Sequence, residues 1–121
     1  MKRDEALLRH ILEETAFIRK TVAGMEYESF MRDETAKRAC TRSLEVIGEA
    51  AKNLSSDLKK ENPGVDWRGI AAMRDKIIHH YFGINWSIVW DVLKNESPAL
   101  EKHVLSILTR KEKPDAQTRQ P

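Results

Sequence analysis

The sequence predicts an all-α fold, an antiparallel helical bundle of about four to five helices. Apolar residues recur at three- and four-residue steps along almost the whole chain. No segment alternates apolar with polar residues as a half-buried strand does, and short connectors join the periodic stretches. The 121 residues suit one domain, expected over residues 1–110 and followed by a disordered, non-periodic polar tail at 111–121.

Leu7, Leu8, Ile11, Leu12, Ile18 and Val22 mark a first amphipathic helix from about Asp4 to Ala23. Gly24 stops it, because glycine takes the left-handed conformation that closes a helix. MEYESF reads as a connector with room for a short turn of helix. A second helix is expected from about Asp33 to Lys60, where Cys40, Leu44, Ile47, Ala51, Leu54 and Leu58 form a seam. NPGVDW then breaks the chain, with Asp66 as N-cap of a third helix starting at Trp67. Ile70, Met73, Ile77 and Tyr81 are its stripe and Gly83 its stop. Asn85 can cap a fourth helix carrying Ile88, Val89, Val92 and Leu93. Ser97 followed by Pro98 reads as a fifth start, with proline at the first helical position where its missing N–H is harmless.

Composition narrows the function. Charged residues are 33% of the chain and the formal net charge is +2, too mild to announce a nucleic-acid binder although a local basic patch is compatible with it. No apolar run reaches the ~18 residues that span a bilayer, and MKRDEALLRH has no apolar core of a secretory signal. A single cysteine, Cys40, excludes a disulfide or a cysteine-rich zinc site within one chain. On an apolar helix stripe it reads as a packed thiol rather than a nucleophile. Reducing cytoplasm is the expected compartment.

Most site chemistries find no match. Glu-x-x-His and His-Glu-x-x-His are both missing, and the adjacent His79 and His80 diverge on a helix, so no metal site is expected. No glycine-rich loop follows a strand. Glu45 and Glu49 share a helix face and read as solvated or paired with Arg38 or Arg42. His10 and His103 read as surface histidines, and Trp67, Trp86 and Trp90 as packing residues. Gly48 lies inside a helix, where glycine costs about 1 kcal/mol against alanine. With the small neighbours of IGEAA it suits close approach of another helix or another chain.

RDKIIHHYF, from Arg74 to Phe82, is different. Two readings of it stay open at this point: Arg74 and the histidines decorate an exposed face while Tyr81 packs, or they do chemistry. Cleaving RNA by its own 2′-hydroxyl needs a base and a cation for the charge gathering on phosphate. Histidine supplies the first, arginine the second, and no metal is required. Residues five apart on a continuous helix point about 140° apart. Arg74 and His79 therefore converge only if the helix ends or loosens near His79, or if two subunits pool them.

The stretch RDKIIHHYFGINWSIVW resembles the signature of the HepT-like toxins of the HEPN superfamily, whose motif is Arg, four residues, His, one residue, Tyr. Arg74, His79 and Tyr81 stand at those positions, with His80 as the variable residue. GMEYESFMRDE, LEVIGEAAKNLS and NPGVDWRGIAAMRD also resemble family segments, in the family order, and the resemblance covers roughly Leu7 to Leu108. It implies a HEPN-like helical bundle that dimerises, with two motifs facing one cleft. It further implies a metal-independent endoribonuclease that is the toxin of a prokaryotic, type VII-like toxin–antitoxin pair. His79 would then be catalytic base or acid and Arg74 the phosphate-binding cation. Tyr81 would be the site at which a MntA-like nucleotidyltransferase antitoxin attaches AMP. RNA and that antitoxin are the implied partners, and no cofactor is called for. The alternative is a catalytically silent helical subunit that partners a nucleotidyltransferase or binds nucleotide.

Overall fold

The structure, a computed structural model, describes residues 2–112, with all side chains in that range except those of Tyr81, Lys111 and Glu112. The expected disordered tail falls almost wholly on 113–121, outside the described residues. Among the described residues the chain is all-helical, as the periodicity predicts. The helices are α1 (Lys2–Val22), α2 (Tyr27–Arg32), α3 (Glu34–Asn53), α4 (Ser56–Glu61), α5 (Trp67–His79), α6 (Trp86–Asp91) and α7 (Ser97–Glu112). A 3-10 turn at Tyr81–Gly83 separates α5 from α6, and a π turn at Val92–Glu96 joins α6 to α7. No described helix is long and apolar enough to cross a membrane.

α3 is the central helix. α1 packs on one of its flanks, α5 on another, and α7 returns onto α1. Leu8, Ile11 and Ile18 of α1 meet Cys40, Ile47 and Ala51 of α3 in one continuous core that Leu93, Val104 and Leu108 complete. Each Leu, Ile or Phe side chain buried in this way contributes about 1.5–3 kcal/mol. Phe30 of α2 is fully buried against the rings of Trp90, at 4.9 Å between centroids, and Trp86, at 6.2 Å. Tyr27 lies 6.4 Å from Trp90. The tryptophans are packing residues, as their spacing suggests: Trp67 is buried too, with its indole N–H donating to the Asn62 carbonyl at 3.0 Å.

Two local expectations change. The helix expected from Asp33 to Lys60 is two helices, broken at Leu54–Ser55. The buried Asp4 carboxylate accepts from the Ser55 backbone N–H at 2.9 Å and from its hydroxyl at 2.6 Å. Ser55 in turn caps α4 by accepting from the Leu58 N–H. A donor that would extend α3 is thus spent on α1, and the chain bends to meet it. MEYESF and its flank hold α2, the short piece of helix for which the connector has room. At Ser97 the expected fresh start is a continuation: the Ser97 N–H bonds to the Val92 carbonyl, a π-type bond, and the helix runs on. Pro98 explains it. In a regular helix its ring would clash with the carbonyl four residues back, and a wider turn ahead of it relieves that conflict.

Candidate active site

α5 starts where Asp66 accepts from the Gly69 N–H at 3.0 Å, and Trp67 pins that end into the core. Ile77 is buried beneath the helix, with Ile70 and Met73 half-buried along the same side. The helix ends at His79. The His80 N–H still reaches the Lys76 carbonyl, but His80 itself (φ −134°, ψ 36°) has left helical geometry. Gly83 then donates to the His80 carbonyl at 2.8 Å in the 3-10 turn.

Arg74 lies where α5 crosses α3, directly over Gly48. A methyl group on Gly48 would overlap Arg74 Cβ and come within 3.1 Å of Arg74 Cγ and of the Ile70 carbonyl oxygen. The close approach that IGEAA suits is therefore between two helices of one chain. Two carboxylates hold the guanidinium at 3.0 Å each, Glu49 through Nη2 and Asp75 through Nη1. Glu49 thus pairs with Arg74, whereas Glu45 pairs with Arg42 at 3.5 Å and Arg38 with Glu34 at 3.8 Å. Partly exposed pairs of this kind contribute at most about 1 kcal/mol each. Their effect is to fix the direction of the guanidinium, whose remaining N–H groups stay available to a ligand.

Arg74 borders a groove of about 290 Å³. α3 is its floor through Val46 and Ala50, Leu7 and His10 of α1 form one wall, and Arg74 and Ile78 of α5 form the other. His79 does not line it. His79 and His80 are exposed at the end of α5, their rings 6.5 Å apart. α5 stays helical through His79, so the two motif side chains keep the divergence of about 140° that five helical steps impose. One chain thus does not bring Arg74 and His79 together. The Tyr81 side chain lies outside the described residues. The end of α5 and the turn after it expose apolar side chains: Phe82 is fully exposed, and Ile78 keeps 43% of its surface in solvent.

Cys40 is fully buried, and its thiol is pushed up to about 11, first by that burial and then by the nearby Asp33 carboxylate. It is a packed thiol. Among the described residues no cluster of three or more His, Cys, Asp or Glu side chains could hold a metal ion. Sequence reasoning missed Glu49, Asp75 and His10 around Arg74. The Asp75 contact is between chain neighbours and was open to reading; the other two need the packing of α5 and α1 on α3.

The chain is thus a small all-α bundle that anchors an arginine on α5 and exposes a histidine at the end of the same helix. Residues 11–107 match the family described as "Ribonuclease HepT-like", and the chain belongs to that family. Its relatives include "Putative RNase TTE0752" of Caldanaerobacter subterraneus subsp. tengcongensis, 47% identical over 91% of this chain and 98% of that one. "Putative RNase MJ0127" of Methanocaldococcus jannaschii is 45% identical over 85% of each chain. "Probable ribonuclease HepT" of Thermococcus cleftensis is 38% identical over 78% of this chain and 86% of its own. No solved structure matches.

Proposed function

We propose that this chain is a metal-independent endoribonuclease, the toxin of a type VII-like toxin–antitoxin pair. The observation that carries the reading is Arg74, a cation oriented by Glu49 and Asp75 on the helix that ends at His79. In the proposed reaction a base takes the proton of a ribose 2′-hydroxyl and that oxygen attacks the adjacent phosphorus. The bond to the 5′-oxygen breaks, an acid returns a proton to it, and a 2′,3′-cyclic phosphate remains. His79 serves as base or acid, and Arg74 stabilises the negative charge on the phosphoryl oxygens.

Because Arg74 and His79 diverge within a chain, the working site is a homodimer in which the His79 of one subunit approaches the Arg74 of the other. The exposed apolar Ile78 and Phe82 within the motif stretch support pairing through this end of α5. The off switch is Tyr81. AMP attached there by a MntA-like nucleotidyltransferase sets a negative phosphodiester close in sequence to the catalytic pair, and Arg74 then engages the modification instead of RNA.

One observation favours a second reading, a silent subunit that binds a nucleotidyltransferase or nucleotide: two carboxylates already sit on Arg74. Cleavage decides. Purified protein in EDTA should cut single-stranded RNA and spare DNA of the same sequence, and His79→Ala should lose about 10²-fold, the lower end of general acid–base contributions. Equal rates for wild type and His79→Ala would end the nuclease mechanism.

A further inference from the structure

The groove beside Arg74 has a composition that phosphate binding alone does not explain. Its cations are already matched, Arg42 by Glu45 at 3.5 Å and Arg74 by Glu49 at 3.0 Å. Charge in the groove is close to balanced, which disfavours a second phosphate there and suits an uncharged group. Val46 and Ala50 give it an apolar floor, with Leu7 and Ile78 on opposite walls, while His10, Glu45 and Asn53 supply a polar rim. Its volume of about 290 Å³ admits one flat ring system and little more.

The polar groups are biased toward accepting. Both N–H groups of the Asn53 amide are committed, to the Glu49 carbonyl at 2.9 Å and the Glu49 carboxylate at 3.2 Å, so its oxygen is the atom left over. Glu45 can only accept while ionised. His10 is exposed on the far wall, with its ring open to stacking. Flat faces, an apolar floor and edge acceptors are what proteins use to hold an unstacked base of single-stranded RNA.

We propose that this groove is a nucleobase subsite: the base next to the phosphate held by Arg74 lies over Val46 and Ala50, against His10, with Glu45 accepting from an exocyclic amino group. Adenine and cytosine offer that donor and uracil offers a carbonyl, so the subsite discriminates against uracil. The inference rests on the ribonuclease reading for the identity of its occupant.

The test separates the two. Fluorescence anisotropy with 2′-O-methyl octaadenylate, octacytidylate and octauridylate measures binding without cleavage, because the methyl group blocks the nucleophile. Wild type should hold the adenylate and cytidylate about tenfold tighter than the uridylate, a difference in the range of one base contact. Glu45→Gln should bring the three within threefold, since the amide can turn its N–H toward the uracil carbonyl. His10→Ala should weaken adenylate and cytidylate about fivefold or more through lost stacking. His103→Ala, on α7 and away from the groove, should change nothing. Equal affinity of wild type for all three, no binding of any, or a Glu45→Gln and His10→Ala pair identical to wild type would overturn the subsite. If the binding pattern holds while unmethylated octaadenylate stays uncut, the nuclease reading fails and the subsite stands. If RNA is cut with no base discrimination in binding, the reverse holds.

Discussion

Gly48→Ala tests the crossing that positions Arg74. Two opposing terms set its effect. Alanine in a helix interior is favoured over glycine by about 1 kcal/mol. Its methyl, however, would overlap Arg74 Cβ and approach the Ile70 carbonyl to 3.1 Å, well inside the roughly 3.5–4 Å of ordinary carbon contacts. Neither obstacle is the loose end of a side chain, so α3 and α5 must move apart. Overpacking of this kind costs about 1–3 kcal/mol, leaving a net loss of about 1 kcal/mol after the propensity gain. For a chain of this length that lowers Tm by roughly 4 °C, read by calorimetry. Cleavage should fall further than stability: at 25 °C, where the variant is folded, a displaced guanidinium should lose on the order of 10–10²-fold in kcat/KM. A Tm that rises by about 4 °C, the outcome of propensity acting alone, with full cleavage would refute the close-crossing argument.

Tyr81→Phe should cut RNA at the wild-type rate yet escape silencing by a cognate nucleotidyltransferase, with intact-mass analysis showing AMP on wild type alone; a silenced toxin with unmodified Tyr81 points to masking instead. Light scattering should give twice the 14.0 kDa chain mass for wild type, and Phe82→Glu together with Ile78→Glu should yield monomers without activity; a monomeric, active wild type would remove the shared cleft. For Cys40, the folded thiol keeps its proton to about pH 11 while the unfolded one releases it near 9.0. The folded state then binds the extra proton, so stability falls as pH rises through that window, by about 2–3 kcal/mol at its top. Urea unfolding at pH 8 and pH 11 should show this loss relative to Cys40→Ala, and matching losses in both proteins would show that the thiol is not responsible.

Local signals in the sequence located the helices well. Gly24, with φ at 75°, closes α1; Asp66 and Asn85 cap α5 and α6; the apolar stripes face the core. Each depends on residues close in the chain. The break at Ser55 depends on Asp4, which is 51 residues away, and no helical period carries that information. The Ser97–Pro98 pair gave the right boundary and the wrong geometry, because proline after serine fits both a first turn and a π turn. At the site, the motif singled out Arg74 and His79 as residue types. But α5 ends at His79, ahead of the expected stop at Gly83, so that Tyr81 falls in the 3-10 turn and not on the helix's apolar stripe. What surrounds Arg74 was hidden. Glu49 read as a partner of its own helix because its true partner arrives on α5, and His10 read as surface because α1 must first lie across α3 to give it a groove to face.

The π turn at Val92–Glu96 fixes a phase relation between the two halves of the last helix. Its single surplus residue offsets α6 against α7, so that Trp86 and Trp90 meet Phe30 while Val104 and Leu108 still enter the core. Deleting Asn95 would restore ordinary α-helical winding and rotate one half against the other by about 100°. The aromatic cluster or the α7 stripe would then face water, and Pro98 would sit in a helix with nothing to absorb its ring. Substitutions in this segment should be tolerated far more readily than the loss of one residue. What the bundle holds constant there is a count.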